Sequence, residues 1–310
     1  MGKKITVMGS FVVDLMGRAP HIPIPGETVK GSFFKMGPGG KGCNQGVAAK
    51  KAGGDVTMIT RVGNDNFKSL AEDMFKNVGF DTKYIFVDNE GNSTAVAPIT
   101  VDETTGQNAI AVYLGACLNM KKEEIDSVAD AITSSDYLLM QLELNTDAII
   151  YAKELAVKAG VKVLLNPAPA PTDGFAEELY KDLYCFMPNE VEAAQISGIP
   201  TDTNEGIEKA AQFFHDKGVK NVIITLGVRG SYVSTPEFKE YIPIIKVDAV
   251  DTTGAGDAFC GGLVTALAEG KNLVEAAKFG AITSGLKVTR MGSSVAMATR
   301  EEIDEYIKQH

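Results

Sequence analysis

Histidine is nearly missing from this sequence: His21, His215 and His310 are the full complement. A Ser–His–Asp triad or a multi-histidine metal site therefore has almost no material to be built from. Cysteine is also sparse, with Cys43, Cys117, Cys185 and Cys260 far apart and no CxxC pair. That spread excludes zinc-ligand spacing and a dense disulfide framework, and reads as reduced thiols in a cytosolic chain. Basic charge is in short supply as well. Lys and Arg total 30 against 40 Asp and Glu, a net charge of −10, so nucleic acid and anionic membrane surfaces are excluded as partners. No run of about 18 apolar residues is available to cross a membrane. Ser10 and Asp14 interrupt the apolar N-terminal stretch, which marks a first strand and not a signal peptide. The Walker pattern GxxxxGK[ST] does not occur either.

What is present suits a chain with a substantial core: of 310 residues, 45% are hydrophobic and 23% charged. From about residue 137 the pattern alternates. Apolar runs of strand length occur at 137–141, 161–165, 183–187 and 221–225. Helical segments are expected at 145–160, from Asn189, at 205–217, 257–269 and 272–288. Strand, helix, strand at this spacing predicts right-handed crossovers and a mainly parallel sheet covered on both faces, a three-layer α/β/α body. The N-terminal part differs. Residues 5–10 and 56–60 fit the same sheet, whereas 29–36, 93–100 and 108–114 read as strands with no helix between them. They predict a small antiparallel β flap, contributed by residues 11–36 and 93–115 and placed to act as a lid. A further strand is expected at 246–250. No repeat, linker or low-complexity tract divides the chain, so 1–310 is expected to form one domain.

The 32 glycines matter by their positions. GPGGKG (37–42) satisfies GxGxxG, but a dinucleotide fingerprint also needs a buried strand before it and an acidic residue about 20 positions on. Here Lys35 lies in the preceding piece and the next strand ends at Thr60–Arg61, which disfavours an NAD-dependent oxidoreductase. A loose turn before a helix over 44–53 would account for one or two glycines. It would not account for Lys41, Asn44 and Gln45 crowded at that helix's start. Polar groups on a loop where glycine lets the backbone approach can close on a hydroxylated ligand.

DTTGAGDAFCGG (251–262) puts Gly254, Ala255 and Gly256 at a helix N-terminus, an anion site suited to a phosphoryl group. Asp257 in that turn is either a helix cap or, beside an anion site, the acceptor of a proton from an attacking hydroxyl. PNEVE (188–192) leaves a similar choice. Asn189 and Glu192 have capping-box spacing, or they hold carboxylate near a Mg²⁺ ion. TLGVRG (225–230) is a strand-end glycine loop, directed toward the crevice where nucleotides bind in parallel sheets.

In this order the four clusters resemble the ribokinase family of carbohydrate kinases (the phosphofructokinase-B type), from GSFVVD (9–14) to TREEID (299–304). The two family signatures are GGKGCNQGVAAKKAG (39–53) and DTTGAGDAF (251–259). GGKGxNQ, MQLE (140–143), NPAPA (166–170) and PNExE are most similar to the ribokinase and deoxyribokinase members. The resemblance implies a ribokinase-like fold and transfer of the γ-phosphate of MgATP to the primary hydroxyl of a pentose, D-ribose to ribose 5-phosphate. It implies that Asp14, Gly40, Lys41, Asn44 and Glu143 hold the sugar. Asp257 would be the base, with Gly254, Ala255 and Gly256 as the anion hole. Asn189 and Glu192 would organise Mg²⁺ through water, and Thr225, Gly227, Arg229, Gly230, Gly256 and Ala281 would meet ATP. It also implies a K⁺ ion held by Asp251 and carbonyls of Thr253, Lys287, Arg290 and Gly292, a cytoplasmic enzyme, and a homodimer formed through the lid.

Three positions depart from the family pattern. Val12 stands where ribokinases carry a sugar-binding Asn, and deoxyribokinases similarly have an apolar residue there, so 2-deoxyribose, another sugar or a nucleoside becomes a candidate substrate. Asn108 on the flap could reach the same hydroxyl instead. GPGGKG is one residue longer than the usual loop, and Ala296 replaces a serine found near the cation. A sugar-binding sensor with a dead site would have lost Asp257 or the glycines, and both are present. An aspartate base also fits the scarcity of histidine.

Overall fold

The short apolar runs become strands of one sheet, because each is too short for a helix and apolar on both faces. The computed structural model describes residues 3–172 and 174–310. Its first strands are β1 (Lys4–Met8), β2 (Val12–Ala19), β3 (Phe33–Gly39), β4 (Asp55–Gly63), β5 (Ile85–Asp88), β6 (Ala95–Asp102) and β7 (Asn108–Ile110). The others are β8 (Tyr137–Met140), β9 (Lys162–Leu165), β10 (Cys185–Phe186), β11 (Val222–Thr225), β12 (Ser231–Ser234) and β13 (Lys239–Ile242). Nine of them form the main sheet in the order β13-β12-β11-β10-β9-β8-β1-β4-β5. It is parallel from β11 to β5.

Side-chain alternation along β8 divides the core between the two faces. Tyr137 and Leu139 pack with the helices Lys41–Lys51, Ala255–Ala268 and Leu273–Val288. Leu138 and Met140 pack with Thr146–Lys158 and Asn204–Asp216. Helix starts follow local chemistry. Thr203 Oγ1 accepts the Gly206 amide at 3.1 Å, and Asn272 and Glu275 form a reciprocal capping box. Among the described residues no helix is long and apolar enough to cross a membrane.

Four strands form a separate sheet in the order β3-β2-β6-β7. This is the expected flap with one correction: it is mixed, not antiparallel. β2 pairs antiparallel with β3 but parallel with β6, because both β2 and β6 leave the body in the same direction. The expected strand at 246–250 is absent. Val250 and Asp251 donate their amides to Val288 O at 2.8 and 3.0 Å, which ties the end of the KVDAV segment to the Leu273–Val288 helix and not to a strand. The β12–β13 hairpin and the helix Lys68–Val78 were not anticipated.

Candidate active site

The polar residues of the sequence motifs gather where the parallel strands end. Ser10 follows β1, Gln141 and Glu143 follow β8, Asn166 follows β9, and Asn189 follows β10. Ligand crevices form at the carboxyl ends of parallel strands, and here the flap and two helix starts face that edge. Gly40 makes the turn into the Lys41–Lys51 helix at φ 90°, where a Cβ would meet the Val12 backbone. Gly254 precedes the Ala255–Ala268 helix at φ 75°. Both conformations favour glycine.

Asp257 sits in the first turn of that second helix and is only 7% exposed. Its carboxylate accepts from Asn44 Nδ2 and Gln45 Nε2, each at 3.0 Å. Asn44 Oδ1 is buried with no partner among the described residues, an acceptor left for a ligand hydroxyl. In the same turn the Ala255 amide donates to Thr252 O at 3.1 Å. The Gly254 and Gly256 amides make no such bond among the described residues, so two of the three expected anion-hole donors are free.

Around this turn three more carboxylates are each tied by one oxygen. Glu143 Oε2 accepts from the Ser10 hydroxyl and from the Lys41 amide at 2.8 Å. Asp14 Oδ2 accepts from Ser293 Oγ at 3.0 Å. Glu192 Oε2 accepts from the Asn189 amide at 2.8 Å while Asn189 Oδ1 accepts from the Glu192 amide. The capping box is therefore real, and it holds a buried carboxylate in place. Asp14 is pushed up to about 6 by burial, with the Ser293 bond opposing and Glu143 and Asp257 adding. Burial also raises Glu143 and Glu192. For Lys41, burial favours the neutral amine, but Asp257, Glu143 and Glu192 outweigh it and hold the ammonium above its ordinary value.

A cleft of about 660 Å³ between flap and body is lined by Asp14, Lys35, Asn108, Asp251 and Ser293 among others. Val12 is not in its lining; it is 2% exposed and packs beneath Gly40. Thr225 forms a parallel bridge with Asn189, which brings the PNEVE and TLGVRG loops together. Gly227 and Arg229 lie in the short turn after it, and Gly230 closes that turn at φ 90°. Arg229 is already engaged, with the Glu190 carboxylate and with Thr201 O at 2.9 Å. Ala281 is half-buried on the Leu273–Val288 helix. Ser10, Gln141, Asn166 and Ser293 complete the site without having been assigned to it, and Gln45, singled out at the helix start, is placed on Asp257. Gln45, Gln141 and Asn166 stand inside the quoted motifs GGKGCNQ, MQLE and NPAPA, which were the available signal.

The donors differ in how well they suit the two implied metal ions. Glu192 keeps one oxygen open, and burial together with Asp257 disfavours its charge, so a divalent cation there would relieve the site. The implied monovalent-cation ligands are divided: the Thr253, Arg290 and Gly292 carbonyls accept no hydrogen bond among the described residues, whereas Asp251 and Lys287 are engaged. Asp251 Oδ1 and Oδ2 already accept the Thr253 and Gly292 amides at 2.9 and 2.8 Å. Lys287 O accepts the Arg290 amide at 3.1 Å, and Ala296 supplies no hydroxyl. The Asp251 carbonyl is taken by an ammonium, Lys287 Nζ, at 2.8 Å.

Comparison with known proteins gives one consistent neighbourhood. The family model described as "pfkB family carbohydrate kinase" matches residues 2–300. A ribokinase of Haemophilus influenzae is 37% identical over 308 residues, covering 99% of each chain. A deoxyribokinase of Salmonella typhimurium is 35% identical over 307 residues, covering 98% of each. Among solved structures, a ribokinase of Arabidopsis thaliana complexed with ribose and ATP superposes with a TM-score of 0.90 at 29% identity, covering 99% of both chains.

Proposed function

This chain belongs to the pfkB family of carbohydrate kinases, and on that premise we propose that it transfers the γ-phosphate of ATP to the primary hydroxyl of a pentose, D-ribose first among them. The observation that carries the reading is Asp257: a buried carboxylate, oriented by two side-chain amides, one turn from unbonded main-chain N–H groups at a helix N-terminus.

The chemistry follows from this placement. Asp257 accepts the proton of the attacking hydroxyl. The Gly254 and Gly256 amides meet the transferred phosphoryl group, with Ala255 shaping the turn. A loose phosphoryl-transfer transition state asks mainly for positioning and charge stabilisation, which fixed amides and an oriented base supply. The open oxygens of Asp14 and Glu143, together with Asn44 Oδ1 and the Gly40–Lys41 turn, receive the sugar hydroxyls. Asn189, Thr225, Gly227, Gly230 and Gly256 border the nucleotide, with Ala281 on the neighbouring helix. Glu192 and Asn189 would hold Mg²⁺, and the ion would supply neutralisation of the phosphates' negative charge. No step is assigned to potassium, because Asp251 and Lys287, two of its five implied ligands, are already engaged.

The chain 1–310 is read as one kinase unit in which the flap closes over the sugar and excludes water. On β3, Phe33 and Lys35 line the cleft while Phe34, 66% exposed, points the other way. That outer apolar face supports a homodimer formed lid to lid. Four buried cysteines, each with its thiol pushed up by burial, suit a cytoplasmic enzyme.

A second substrate, 2-deoxyribose, is favoured by one specific observation, the apolar Val12 in place of a hydrogen-bonding side chain. The test of the common reading is ADP release with ribose, 2-deoxyribose, fructose and nucleosides on the wild type and on Asp257→Asn. Loss of about 10²–10⁴-fold in kcat with ADP binding retained is expected. Full activity of the variant would sink the mechanism, and failure of every pentose to stimulate turnover would sink the substrate class.

A further inference from the structure

Lys287 is a buried charge that the phosphoryl-transfer reading does not use. It lies in the last turn of the Leu273–Val288 helix, and its side chain is 0% exposed. Burying an ammonium is costly unless something compensates it, and an alanine or leucine would serve the helix without that cost. The side chain makes no ion pair among the described residues; its Nζ donates to the main-chain carbonyl of Asp251 at 2.8 Å. Burial pulls its pKa below the ordinary lysine value, and the Asp251 and Asp257 carboxylates, the first and last residues of the DTTGAGD segment, oppose that shift and favour the ammonium. A lysine near a helix C-terminus ordinarily caps the last carbonyls of its own helix. This one reaches across to another segment, the loop that carries the free Gly254 and Gly256 amides.

The same loop is where family resemblance places a potassium ion, and the two cations compete for one environment. Both Asp251 carboxylate oxygens are held by amides, and the Asp251 carbonyl is held by the ammonium. A potassium ion added there would sit beside a like charge, the buried Lys287 ammonium, which is unfavourable. The Asp251 and Asp257 carboxylates and an incoming phosphate nevertheless need a positive charge nearby.

We propose that the Lys287 ammonium is a built-in substitute for the monovalent cation at the phosphate-binding loop, so that nucleotide binding and turnover in this chain do not depend on potassium. The inference rests on the kinase reading of the site. Lys287 is a positioning residue: it touches no reacting atom and acts through the Asp251 main chain, fixing the shape and the potential of the loop.

The experiment compares wild type, Lys287→Met and Lys287→Arg in buffers whose only monovalent cation is tetramethylammonium, and then with added KCl. Two readouts are taken, ADP affinity by calorimetry and sugar-dependent ADP release. Wild type should change less than about twofold in either readout when KCl is added. Lys287→Met should lose at least about tenfold in ADP affinity in tetramethylammonium and recover part of it with KCl. Lys287→Arg, which keeps the charge, should remain insensitive to potassium. Rescue by potassium but not by tetramethylammonium is a response that a merely structural lysine would not produce. Wild-type ADP affinity or turnover rising about tenfold with KCl overturns the inference, whatever the variants do. Absence of ATP turnover with every sugar and every cation would instead overturn the kinase reading, which keeps the two failures apart.

Discussion

Gln45 and Asp257, 212 positions apart in the chain, share a 3.0 Å hydrogen bond from Nε2 to Oδ1. The other Nε2 proton goes to Asn166 Oδ1 at 2.9 Å, and Gln45 Oε1 accepts from Gln141 Nε2 at 2.6 Å. Asn166 in turn donates to Met187 O at 2.7 Å. Each side of the Gln45 amide is therefore fixed by a partner, and the proposed base is braced by residues that follow two core strands. A buried amide satisfied on both sides in this way holds one geometry and is costly to displace, while Gln141 Oε1 has no partner among the described residues.

Gln45→Leu should accordingly cost about 1–3 kcal/mol of stability, because Gln141 and Asn166 lose buried partners. It should also lower kcat by about tenfold or more while leaving the sugar KM within about threefold, since the base is misaligned and not removed. Urea unfolding and steady-state ADP release read the two effects separately. Unchanged kcat would mean that Asn44 alone orients Asp257.

Asp14 carries a pH signature. Its carboxyl is raised from 3.8 to about 6, chiefly by burial, so the folded chain prefers the neutral acid. The stability tied to that preference is fully present below pH 3.8 and is lost as pH rises through 6. Asp14→Asn stays neutral throughout, so its stability margin over wild type should grow across this window to about 3 kcal/mol near pH 7.5. Sugar binding should move the opposite way, with the variant's KM for sugar raised at least about tenfold. Denaturant midpoints at pH 4.5 and 7.5 supply the check; an equal margin at both values would show that the carboxyl titrates as if exposed.

Much of this site was legible before any coordinates, because its chemistry is compressed into short glycine-bounded motifs. GGKGCNQ and DTTGAGD carry the local signals of a turn into a helix, and the two helices they open bring Asn44, Gln45 and Asp257 together. The alternation of buried runs such as YLLM and KVLL likewise gave the parallel sheet. What stayed hidden depended on contacts across the chain. Nothing near Ser293 says that it will donate to Asp14, 279 positions away. The KVDAV segment has strand periodicity, but the Val250 amide goes to Val288 O on a distant helix, a contact that no local pattern shows. The mixed pairing of β2 was hidden for the same reason: strand direction in a flap is set by where the body releases the chain. Lys287 is the sharpest case, since only its burial shows that a lysine near a helix end reaches the phosphate loop.

Arg229 illustrates how a motif position can be present without the expected freedom. Its guanidinium is held by Glu190 and by Thr201 O at 2.9 Å, which ties the turn after β11 to the start of the Glu190–Ser197 helix. Arg229→Ala should cost no more than about 1 kcal/mol, as a half-exposed ion pair does. It should raise the ATP KM by less than about threefold, through a looser turn. An increase well beyond tenfold would show that the arginine leaves Glu190 to meet the nucleotide phosphates.

Sugar choice is the remaining test, and the structure separates two residues that could set it. Val12 is 2% exposed beneath Gly40, whereas Asn108 lines the cleft from the flap. If the first sugar shell is completed from below, Val12→Asn introduces an amide next to the ligand and should shift the kcat/KM ratio toward ribose over 2-deoxyribose. One good hydrogen bond to the extra hydroxyl is worth at least about tenfold in that ratio. The variant should also lose about 1–3 kcal/mol of stability without sugar, because the new amide has few partners beneath Gly40. Saturating ribose should restore more of that loss than 2-deoxyribose does. If the shell is completed from above, Asn108→Ala changes the ratio and Val12→Asn does not. Measuring both ratios on both variants assigns the discrimination to the body or to the flap, and an unchanged ratio in Val12→Asn removes Val12 as the selector.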